Sequence, residues 1–355
     1  IFERPRNNSD IGPEISPPAF PLMTDIIYFE EQVAEHPRSL EIFGRYPRAT
    51  RIPCGHYKEI FNPSGQNFRL QKKKPALILA HNSGKLVHPV PITYGIGGKR
   101  NFYFSHMLNC LYDCRYCFLQ GMYPSAHYLL FVNFEDFFSE MDRISEEATD
   151  EPSWFFSGYD CDSLAMENLS GFAKCTLPFF KDRPNSFLEL RTKSVNLQSL
   201  MKVAPLPNVV TAFSFTPQEI SQSIEKGVPP VKTRIRAMSK LADQGWPIGL
   251  RLDPILDCQD FERRYAELIE DLFSNLPEKA VHSVSLGPFR LPEPFFKRME
   301  KLYPEEALFA GNFEKRGRTI SYAKELEKEK IGVCREMLLR YVPEKKLFHC
   351  EPEEQ

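Results

Sequence analysis

The sequence lacks several features, and each absence narrows the class of protein. No apolar run among its 355 residues approaches the roughly 18 that a membrane-spanning helix needs. Net charge is also nearly absent, because 45 Lys and Arg stand against 47 Asp and Glu, for a formal charge of −2. The chain is therefore not a bulk electrostatic binder of nucleic acid, and any contact with DNA or RNA must use a local basic surface.

The amino terminus has neither an initiator Met nor the apolar core of a secretory signal, so we expect no such signal, or a trimmed chain. The sequence is rich in proline, with 30 among 355 residues, or about 8.5% against a usual level of about 5%. It also has 29 phenylalanines. These suggest sharp strand-to-helix corners and an aromatic interior. Hydrophobic content of 42% and charged content of 26% are those of an ordinary globular protein.

Cysteine is present nine times, an odd number that argues against a secreted disulfide framework and favours the reducing cytoplasm. Six of these cysteines are widely scattered along the chain, as small buried hydrophobic side chains would be. The other three, Cys110, Cys114 and Cys117, form a C-x3-C-x2-C cluster.

Short apolar segments alternate with helical patterns over residues 99–304. The predicted strands are Asn101–Ser105, Ser153–Gly158, Phe187–Thr192, Val209–Phe215, Pro247–Leu252 and His282–Phe289. The predicted helices are Phe134–Glu147, Ser163–Phe180, Leu197–Val203, Val231–Gln244, Asp260–Leu276 and, after the sixth strand, Glu293–Leu302. Such repeats predict an α/β fold with a parallel sheet, a partial (βα)6 barrel with functional residues at the carboxyl ends of its strands.

Extensions flank the predicted barrel on both sides. The first contains a predicted helix around Ile27–Ala34 and a predicted strand at Pro75–Ala80, and the charged tail contains a predicted helix at Ala323–Tyr341. We divide the chain into a flexible arm (1–22), an N-terminal extension packing on the core (23–98), the barrel (99–304), and a C-terminal basic loop and helix (305–355).

The three clustered cysteines follow the first predicted strand, so their loop is expected at the carboxyl end of that strand. Three thiolates on one loop can bind three irons of a 4Fe–4S cluster and leave the fourth iron open for a small molecule. A ferredoxin would need a fourth Cys nearby, and none follows within the loop. Two other interpretations are a zinc knuckle with His106 as the fourth ligand and a chance spacing of structural cysteines.

This spacing, in this place, resembles the radical S-adenosylmethionine (SAM) superfamily. The resemblance implies a βα barrel, a 4Fe–4S cluster on Cys110, Cys114 and Cys117, and SAM held on the open iron by its amino and carboxylate groups. It also implies cleavage of SAM to methionine and a 5′-deoxyadenosyl radical. The electron would come from an external one-electron reductant such as flavodoxin or ferredoxin.

Within that superfamily the chain looks most like the spore photoproduct lyase family, which reverses a methylene-linked thymine dimer in DNA. The likeness runs with gaps from about Ile26 to the end of the tail. The phrases that carry it are Ile27-Tyr28-Phe29-Glu30, Cys117-Phe118-Leu119-Gln120, Val132-Asn133-Phe134-Glu135-Asp136, Thr192-Lys193, Phe213-Ser214-Phe215, Asp253-Pro254-Ile255, Tyr303-Pro304 and Lys315-Arg316-Gly317-Arg318. It implies a cytoplasmic, monomeric enzyme that repairs or modifies pyrimidines in DNA.

Two positions depart from the lyase family and put its hydrogen-return step in question. The lyase has Tyr directly after the third cluster Cys, where this chain has Phe118, and its hydrogen-donor Cys matches Tyr159. Cys161 lies two residues further; if the strand continues, both side chains face the same way, about 6.6 Å apart. Cys161 is then a shifted donor or a buried thiol, and Tyr159 a phenolic donor or a wall of the pocket. Tyr116, the aromatic residue before the last cluster Cys, is the third catalytic candidate.

Bound SAM needs acceptors for its ammonium and donors for its carboxylate. The candidates at the strand ends are Ser157, Asp162, Lys193, Ser214 and Arg251. The resemblance implies that Asp162 accepts from the amino group and that Lys193 approaches SAM. The alternatives are that Asp162 caps the following helix and that Lys193 is solvated. For Arg251, the alternative is a salt bridge with Asp253 on the same strand face.

Local basic groups provide the candidate DNA surface. They are Lys72–Lys74, Lys99–Arg100, Lys297–Arg298, and Lys315 with Arg316 and Arg318. In the lyase family a C-terminal hairpin carrying Gly-Arg wedges into the duplex; Gly317-Arg318 matches it, although Thr319 replaces the flanking aromatic residue. A solvated loop is the alternative.

The sequence thus predicts a radical SAM 4Fe–4S enzyme related to spore photoproduct lyase. A radical SAM enzyme for a non-DNA substrate is one alternative. A non-catalytic iron–sulfur electron-transfer or zinc-binding module is the alternative from another class.

Overall fold

The computed structural model describes residues 24–90, 94–148 and 150–350, so the predicted arm at 1–22 lies outside the described residues. The strands are β1 (Ile26–Glu30), β2 (Thr50–Cys54), β3 (Leu77–Ala80), β4 (Val87–Pro89), β5 (Arg100–Phe104), β6 (Met107–Leu108), β7 (Asp113–Cys114), β8 (Tyr128–Phe131), β9 (Ser153–Ser157), β10 (Ser186–Thr192), β11 (Val209–Ser214), β12 (Glu225–Lys226), β13 (Ile248–Ile255), β14 (Val281–Pro288), β15 (Arg290–Pro292), β16 (Phe313–Arg316), β17 (Thr319–Tyr322) and β18 (Leu347–His349).

The helices are α1 (Pro37–Arg45), α2 (Lys58–Phe61), α3 (Phe68–Lys73), α4 (Leu119–Met122), α5 (Phe134–Glu146), α6 (Glu167–Ser170), α7 (Phe172–Lys181), α8 (Gln198–Met201), α9 (Gln218–Ile224), α10 (Val231–Gln244), α11 (Phe261–Ser274), α12 (Glu293–Leu302) and α13 (Lys324–Leu338). Across the described ranges, no helix combines the length and the apolar character needed to cross a membrane.

An eight-stranded sheet forms the barrel wall, in the order β18-β14-β13-β11-β10-β9-β5-β4. The six strands from β5 to β14 in this order pair in parallel. They are the six strands that the sequence predicted, displaced at their ends by no more than three residues. β18 adds in parallel at one edge and β4 antiparallel at the other. The predicted α/β partial barrel is therefore confirmed.

The barrel strands are apolar runs because both faces of the wall are covered. Every residue of β9 and β11 is buried. Trp154, Phe156 and Val210 belong to a small cluster that is separate from the main core. The main core contains Phe155 and Leu188, together with buried residues of the surrounding helices. Consecutive residues of β9 thus belong to two different clusters, as the alternation of side chains along a strand requires.

The N-terminal extension forms a second sheet, in the order β2-β1-β3-β8-β6. The predicted strand at Pro75–Ala80 is confirmed as β3, but the helix predicted around Ile27–Ala34 is wrong, because Ile26–Glu30 is strand β1. β1 lies between β2 and β3 and pairs in parallel with both. The local pattern of apolar residues carries no information about these distant strands. Pairing with them, rather than local preference, makes this segment a strand. Since β6 and β8 come from the barrel region, the domain boundary at 98 and 99 stays a prediction.

Most predicted helices are present, with α10 and α12 at the predicted bounds. The single helix predicted at Ser163–Phe180 is wrong, because α6 ends at Ser170 and α7 begins at Phe172, with Gly171 between them. Gly171 has φ +60°, a left-handed conformation that glycine adopts readily. The helix predicted in the tail is confirmed as α13, shorter by three residues at its C-terminal end.

Candidate active site

The cysteine loop lies at the carboxyl end of β5, the first parallel strand of the barrel. It contains the short strand β7, which pairs antiparallel with β12 so that Cys114 lies opposite Glu225. The backbone N–H of Arg115 donates to the carbonyl of Ile224 at 2.9 Å, and that of Cys117 to the carbonyl of Cys114 at 3.0 Å. The loop is thus fixed to the connection that follows β11.

The start of the loop is held in an unusual backbone conformation. Asn109 has φ +68°, a left-handed value that Asn tolerates better than most residues. Its side-chain amide donates to the carbonyls of Ser125 and His127 at 2.8 and 2.7 Å. Lys72 Nζ donates to the carbonyls of Cys110 and Tyr112 at 3.2 and 3.4 Å. Lys72, one of the predicted basic surface residues, therefore supports the cysteine loop.

The three thiols of the loop are close enough for their charges to interact. Cys114 is buried, and Cys110 and Cys117 are half-buried. Burial raises the pKa of Cys110 to about 12, and Asp162 adds to this shift. In the described part of the chain, no three His, Cys, Asp or Glu side chains converge on one metal ion. A 4Fe–4S cluster needs no such convergence, because each thiolate binds a different iron.

The zinc interpretation requires His106, and the structure places this residue in an apolar setting. Its ring stacks on Phe172 with a centroid separation of 3.8 Å, and neither ring nitrogen has a hydrogen-bond partner among the described residues. Burial lowers the pKa of His106 to about 3. A tetrahedral zinc site needs four convergent ligands, and the described residues provide no such group.

Tyr116 is tied to a buried ion pair. Its hydroxyl donates to Glu225 Oε1, and Arg234 Nη2 donates to Glu225 Oε2 at 2.7 Å. Arg234 Nη1 donates to the carbonyl of Ser214 at 2.7 Å, so the network reaches the end of β11. Burial alone would raise the pKa of Glu225, but Arg234 and Lys193 outweigh it and hold that pKa below its usual value.

Breaking this ion pair should destabilise the fold. Arg234 and Glu225 side chains are both fully buried, so Arg234→Met would leave a buried carboxylate without its main partner, at a cost of about 3–5 kcal/mol. The measurement is the free energy of unfolding in urea. The double variant Arg234→Met with Glu225→Gln is the control and should recover part of the loss. Equal stability of Arg234→Met and the parent would contradict the role assigned to the pair.

Asp162 joins the ends of β9 and β10. Its Oδ1 accepts from Thr192 Oγ1 at 2.7 Å and from the backbone N–H groups of Leu164 and Ala165 at 3.0 and 2.8 Å. Its Oδ2 accepts from the backbone N–H of Lys193 at 2.6 Å. Asp162 therefore caps the turn after β9, ahead of α6, and Oδ2 keeps capacity for one further donor.

Ser157 and Gly158 end β9. Ser163 Oγ donates to Ser157 Oγ at 3.1 Å, and both hydroxyls are buried. Gly158 has φ +84°, and a Cβ there would lie 2.6 Å from Ser163 Oγ and 2.9 Å from the carbonyl oxygen of Arg191. Only glycine fits this turn without displacing its neighbours.

After the turn at Gly158, Tyr159 and Cys161 no longer follow the strand and lie in different surroundings. The expectation that both face the same way required a continuing strand, and it is wrong because β9 ends at Ser157. Tyr159 is 52% exposed, whereas Cys161 is 7% exposed and packs in the main hydrophobic core. Burial raises the pKa of the Cys161 thiol well above its usual value.

Among the described residues, Arg251 has an acidic partner within 4 Å, whereas Lys193 has none. Lys193 Nζ lies 5.4 Å from the centroid of the Tyr116 ring. Arg251 is fully buried and pairs with Glu189 at 2.7 Å, with a further bond to Ser283 Oγ at 3.0 Å. The salt bridge considered between Arg251 and Asp253 is not formed; Asp253 pairs instead with Arg290 at 3.0 Å.

The predicted DNA residues lie on the hairpin of β16 and β17, whose turn is at Gly317 with φ +56°. Lys315 Nζ pairs with Glu293 at 2.6 Å, and Arg316 pairs with Glu327. Arg318 is exposed at the tip.

Several residues that shape the site were not among the sequence candidates. Glu225 and Arg234 are 109 and 118 positions from Tyr116 along the chain, and no local pattern connects them. For Asn109 the sequence did contain a signal. Asn tolerates a left-handed backbone conformation better than most residues, and this one stands directly before the cysteine loop.

A parallel half-barrel with C-x3-C-x2-C on the loop after its first strand is the arrangement typical of radical SAM enzymes. Comparison with known families agrees, because the model of the family described as spore photoproduct lyase matches residues 102–338. The match covers more than half of the chain. The protein therefore belongs to the spore photoproduct lyase family and is a radical SAM enzyme.

Individual relatives are distant in sequence but similar over most of their length. The spore photoproduct lyase of Bacillus subtilis (strain 168) is 24% identical over 302 residues, 81% of this chain and 84% of that protein. That of Geobacillus sp. (strain Y412MC61) is 22% identical over 303 residues, 81% and 85% of the two chains.

Solved structures of spore photoproduct lyase share the fold. A cysteine-to-serine variant has a TM-score of 0.79 at 18% identity, covering 92% of this chain and 98% of the other. A doubly substituted variant with bound AdoMet and dinucleoside spore photoproduct has a TM-score of 0.79 at 19% identity, with the same coverage. At these identities the similarity supports the fold, and the site must be argued from this chain's own residues.

Proposed function

We propose that this protein uses a 4Fe–4S cluster and SAM to repair or modify pyrimidines in DNA. The observation that carries the proposal is the loop with Cys110, Cys114 and Cys117 at the carboxyl end of the first barrel strand. Its relatives are spore photoproduct lyases, and one similar structure holds both AdoMet and a dinucleoside spore photoproduct. When bound on the cluster, SAM would supply a 5′-deoxyadenosyl radical able to abstract hydrogen from the substrate.

Residues around the loop suit the two charged ends of SAM's methionine part. Asp162 Oδ2 has one protein donor and room for an ammonium group. Lys193 Nζ has no carboxylate within 4 Å among the described residues, so its charge can meet a carboxylate. Tyr116 is oriented by Glu225, which gives its ring a fixed position within the cysteine loop that would hold the cluster. Arg251, by contrast, contributes through Glu189 and the barrel interior rather than through SAM.

The function is tested by anaerobic reconstitution followed by reaction with DNA. We expect about four irons and four sulfides per chain and a change in the EPR signal of the reduced cluster when SAM is added. Incubation with oligonucleotides carrying defined pyrimidine lesions should then change the base. Zinc without sulfide would favour the binding-module alternative, and SAM cleavage without any change in DNA would favour a non-DNA substrate. The external reductant, the monomeric state and the cytoplasmic location stay predictions.

DNA contact by the hairpin should depend mainly on Arg318. Lys315 and Arg316 are neutralised by Glu293 and Glu327, whereas Arg318 has no acidic partner within 4 Å among the described residues. Arg318→Ala should therefore lower the salt slope of DNA binding by about one unit, and Lys315→Ala by less. Fluorescence anisotropy over a salt series measures this, with the exposed Arg340→Ala as the charge-matched control. An unchanged slope for the triple variant lacking Lys315, Arg316 and Arg318 would place DNA elsewhere.

A further inference from the structure

Four aromatic rings form a continuous row beside the cysteine loop, here called the aromatic ladder: His88, Tyr103, Tyr159 and Phe118. His88 stacks on Tyr103 with a centroid separation of 5.1 Å and an interplanar angle of 19°. Tyr103 lies 4.5 Å from Tyr159, and Tyr159 lies 5.4 Å from Phe118. Phe118 directly follows Cys117, so the ladder begins at the cluster loop and ends on the edge strand β4.

One rung of this ladder is open to a ligand. Tyr159 is 52% exposed although two other rings pack against it. Among the Phe, Tyr and Trp residues of the described ranges, the only other exposed one is Tyr341, at 37%. The turn at Gly158, which admits no Cβ, fixes the backbone that carries Tyr159. Tyr159 is therefore a pre-positioned ring with a free surface at the mouth of the barrel.

The cation Arg290, which lies near Tyr159, is already paired, and this favours a neutral ligand. Burial raises the pKa of the Tyr159 hydroxyl and Arg290 opposes that rise, but the two Nη atoms of Arg290 bind Asp253 at 3.0 and 3.4 Å. Its Nε donates to the hydroxyl of Tyr94 at 3.2 Å. The buried carboxylate of Asp160 accepts from Ser105 Oγ but has no cationic partner within 4 Å among the described residues, which disfavours an anionic ligand. Without an available cation, the ladder suits a planar uncharged ring better than a phosphate.

We propose that the aromatic ladder is a stacking platform for an unpaired pyrimidine base of a DNA strand, with Tyr159 as the contact surface. The inference rests on the proposed function and names the part of the substrate that this surface takes. Bases stack on aromatic side chains whatever their sequence, because every base has a π face. Enzymes that act on a base within a duplex must first take it out of the stack, and an aromatic surface in the pocket receives it.

The test compares binding of the reconstituted protein to two short single strands, a thymidine oligonucleotide and an abasic oligonucleotide of equal length. Tyr159→Ala should lose roughly 5- to 150-fold in affinity for the thymidine strand, the range for one base–aromatic stack. Its affinity for the abasic strand and its salt slope should not change, because no phosphate contact is lost. Tyr159→Phe, which keeps the ring, and Tyr341→Ala, the exposed aromatic control, should both stay close to the parent.

The outcomes separate this inference from the function on which it rests. If the parent prefers the thymidine strand and Tyr159→Ala keeps that preference, the stacking platform is wrong and DNA remains the substrate. Equal losses on both strands would also overturn the platform. If the parent binds neither strand, the inference and the assignment of DNA as substrate fail together.

Discussion

Alanine at any one of Cys110, Cys114 or Cys117 is expected to abolish formation of 5′-deoxyadenosine. Each thiolate would bind a different iron, so no neighbouring ligand can replace a missing one. The expected loss is complete within detection, because the cluster held by these three residues would both pass the reductant's electron to SAM and anchor SAM. The measurements are iron and sulfide content after anaerobic reconstitution, the EPR spectrum of the reduced cluster, and 5′-deoxyadenosine by chromatography.

A matched control exists within the same chain. Cys175, on α7, is half-buried like Cys110 and Cys117 but has Arg38 as its neighbour at 3.7 Å. Cys175→Ala should keep the iron content, the EPR signal and SAM cleavage of the parent. An alanine variant of the cluster loop that still cleaves SAM at the parent rate would defeat the ligand assignment.

The barrel wall was predictable because its strands are local apolar runs with clear turn signals between them. β10 and β11 could be placed within one residue of their ends for this reason. The position of the cysteine loop followed from the same pattern, since functional loops of parallel sheets lie at the carboxyl ends of strands. These features depend on residues close together along the chain.

Features that depend on distant partners could not be predicted. The residues around Ile27 have a pattern that predicts a helix, but they form β1, which pairs with β2 and β3. Arg251 had Asp253 as an apparent partner on its own strand, whereas Glu189, 62 residues away, takes the guanidinium. The exchange matters for the site, because it removes Arg251 from the groups available to SAM.

The end of β9 shows how a single turn changes a chemical expectation. Strand periodicity places Tyr159 and Cys161 on one face, and Gly158 breaks that periodicity with φ +84°. As a result the thiol lies in the hydrophobic core and the phenol at the mouth of the barrel. The thiol that could have replaced the lyase family's hydrogen donor is therefore buried in the core rather than exposed beside Tyr159.

Spore photoproduct is accordingly expected to be a poor substrate of the parent protein, and Tyr159→Cys is expected to improve its repair. Tyr159 matches the donor Cys in the resemblance to the lyase family, so this change would place a thiol where the family has one. Hydrogen transfer is sensitive to position, and a displacement of about 1 Å can cost on the order of 10²-fold. We therefore expect a gain of about that size in repaired thymine, measured under anaerobic conditions at saturating dinucleoside spore photoproduct, so that weaker binding without the Tyr159 ring does not mask it.

Cys161→Ala is the matched control for this experiment, and it tests whether the native thiol returns hydrogen. Because Cys161 is 7% exposed within the core, the change should leave SAM cleavage and the reaction on DNA within about twofold of the parent, apart from a modest loss of stability. A variant that still cleaves SAM but misdirects the substrate radical would instead identify Cys161 as the donor. Efficient repair of spore photoproduct by Cys161→Ala itself would contradict both a donor role for Cys161 and the expectation that this chain, with Tyr159 at the donor position, repairs spore photoproduct poorly.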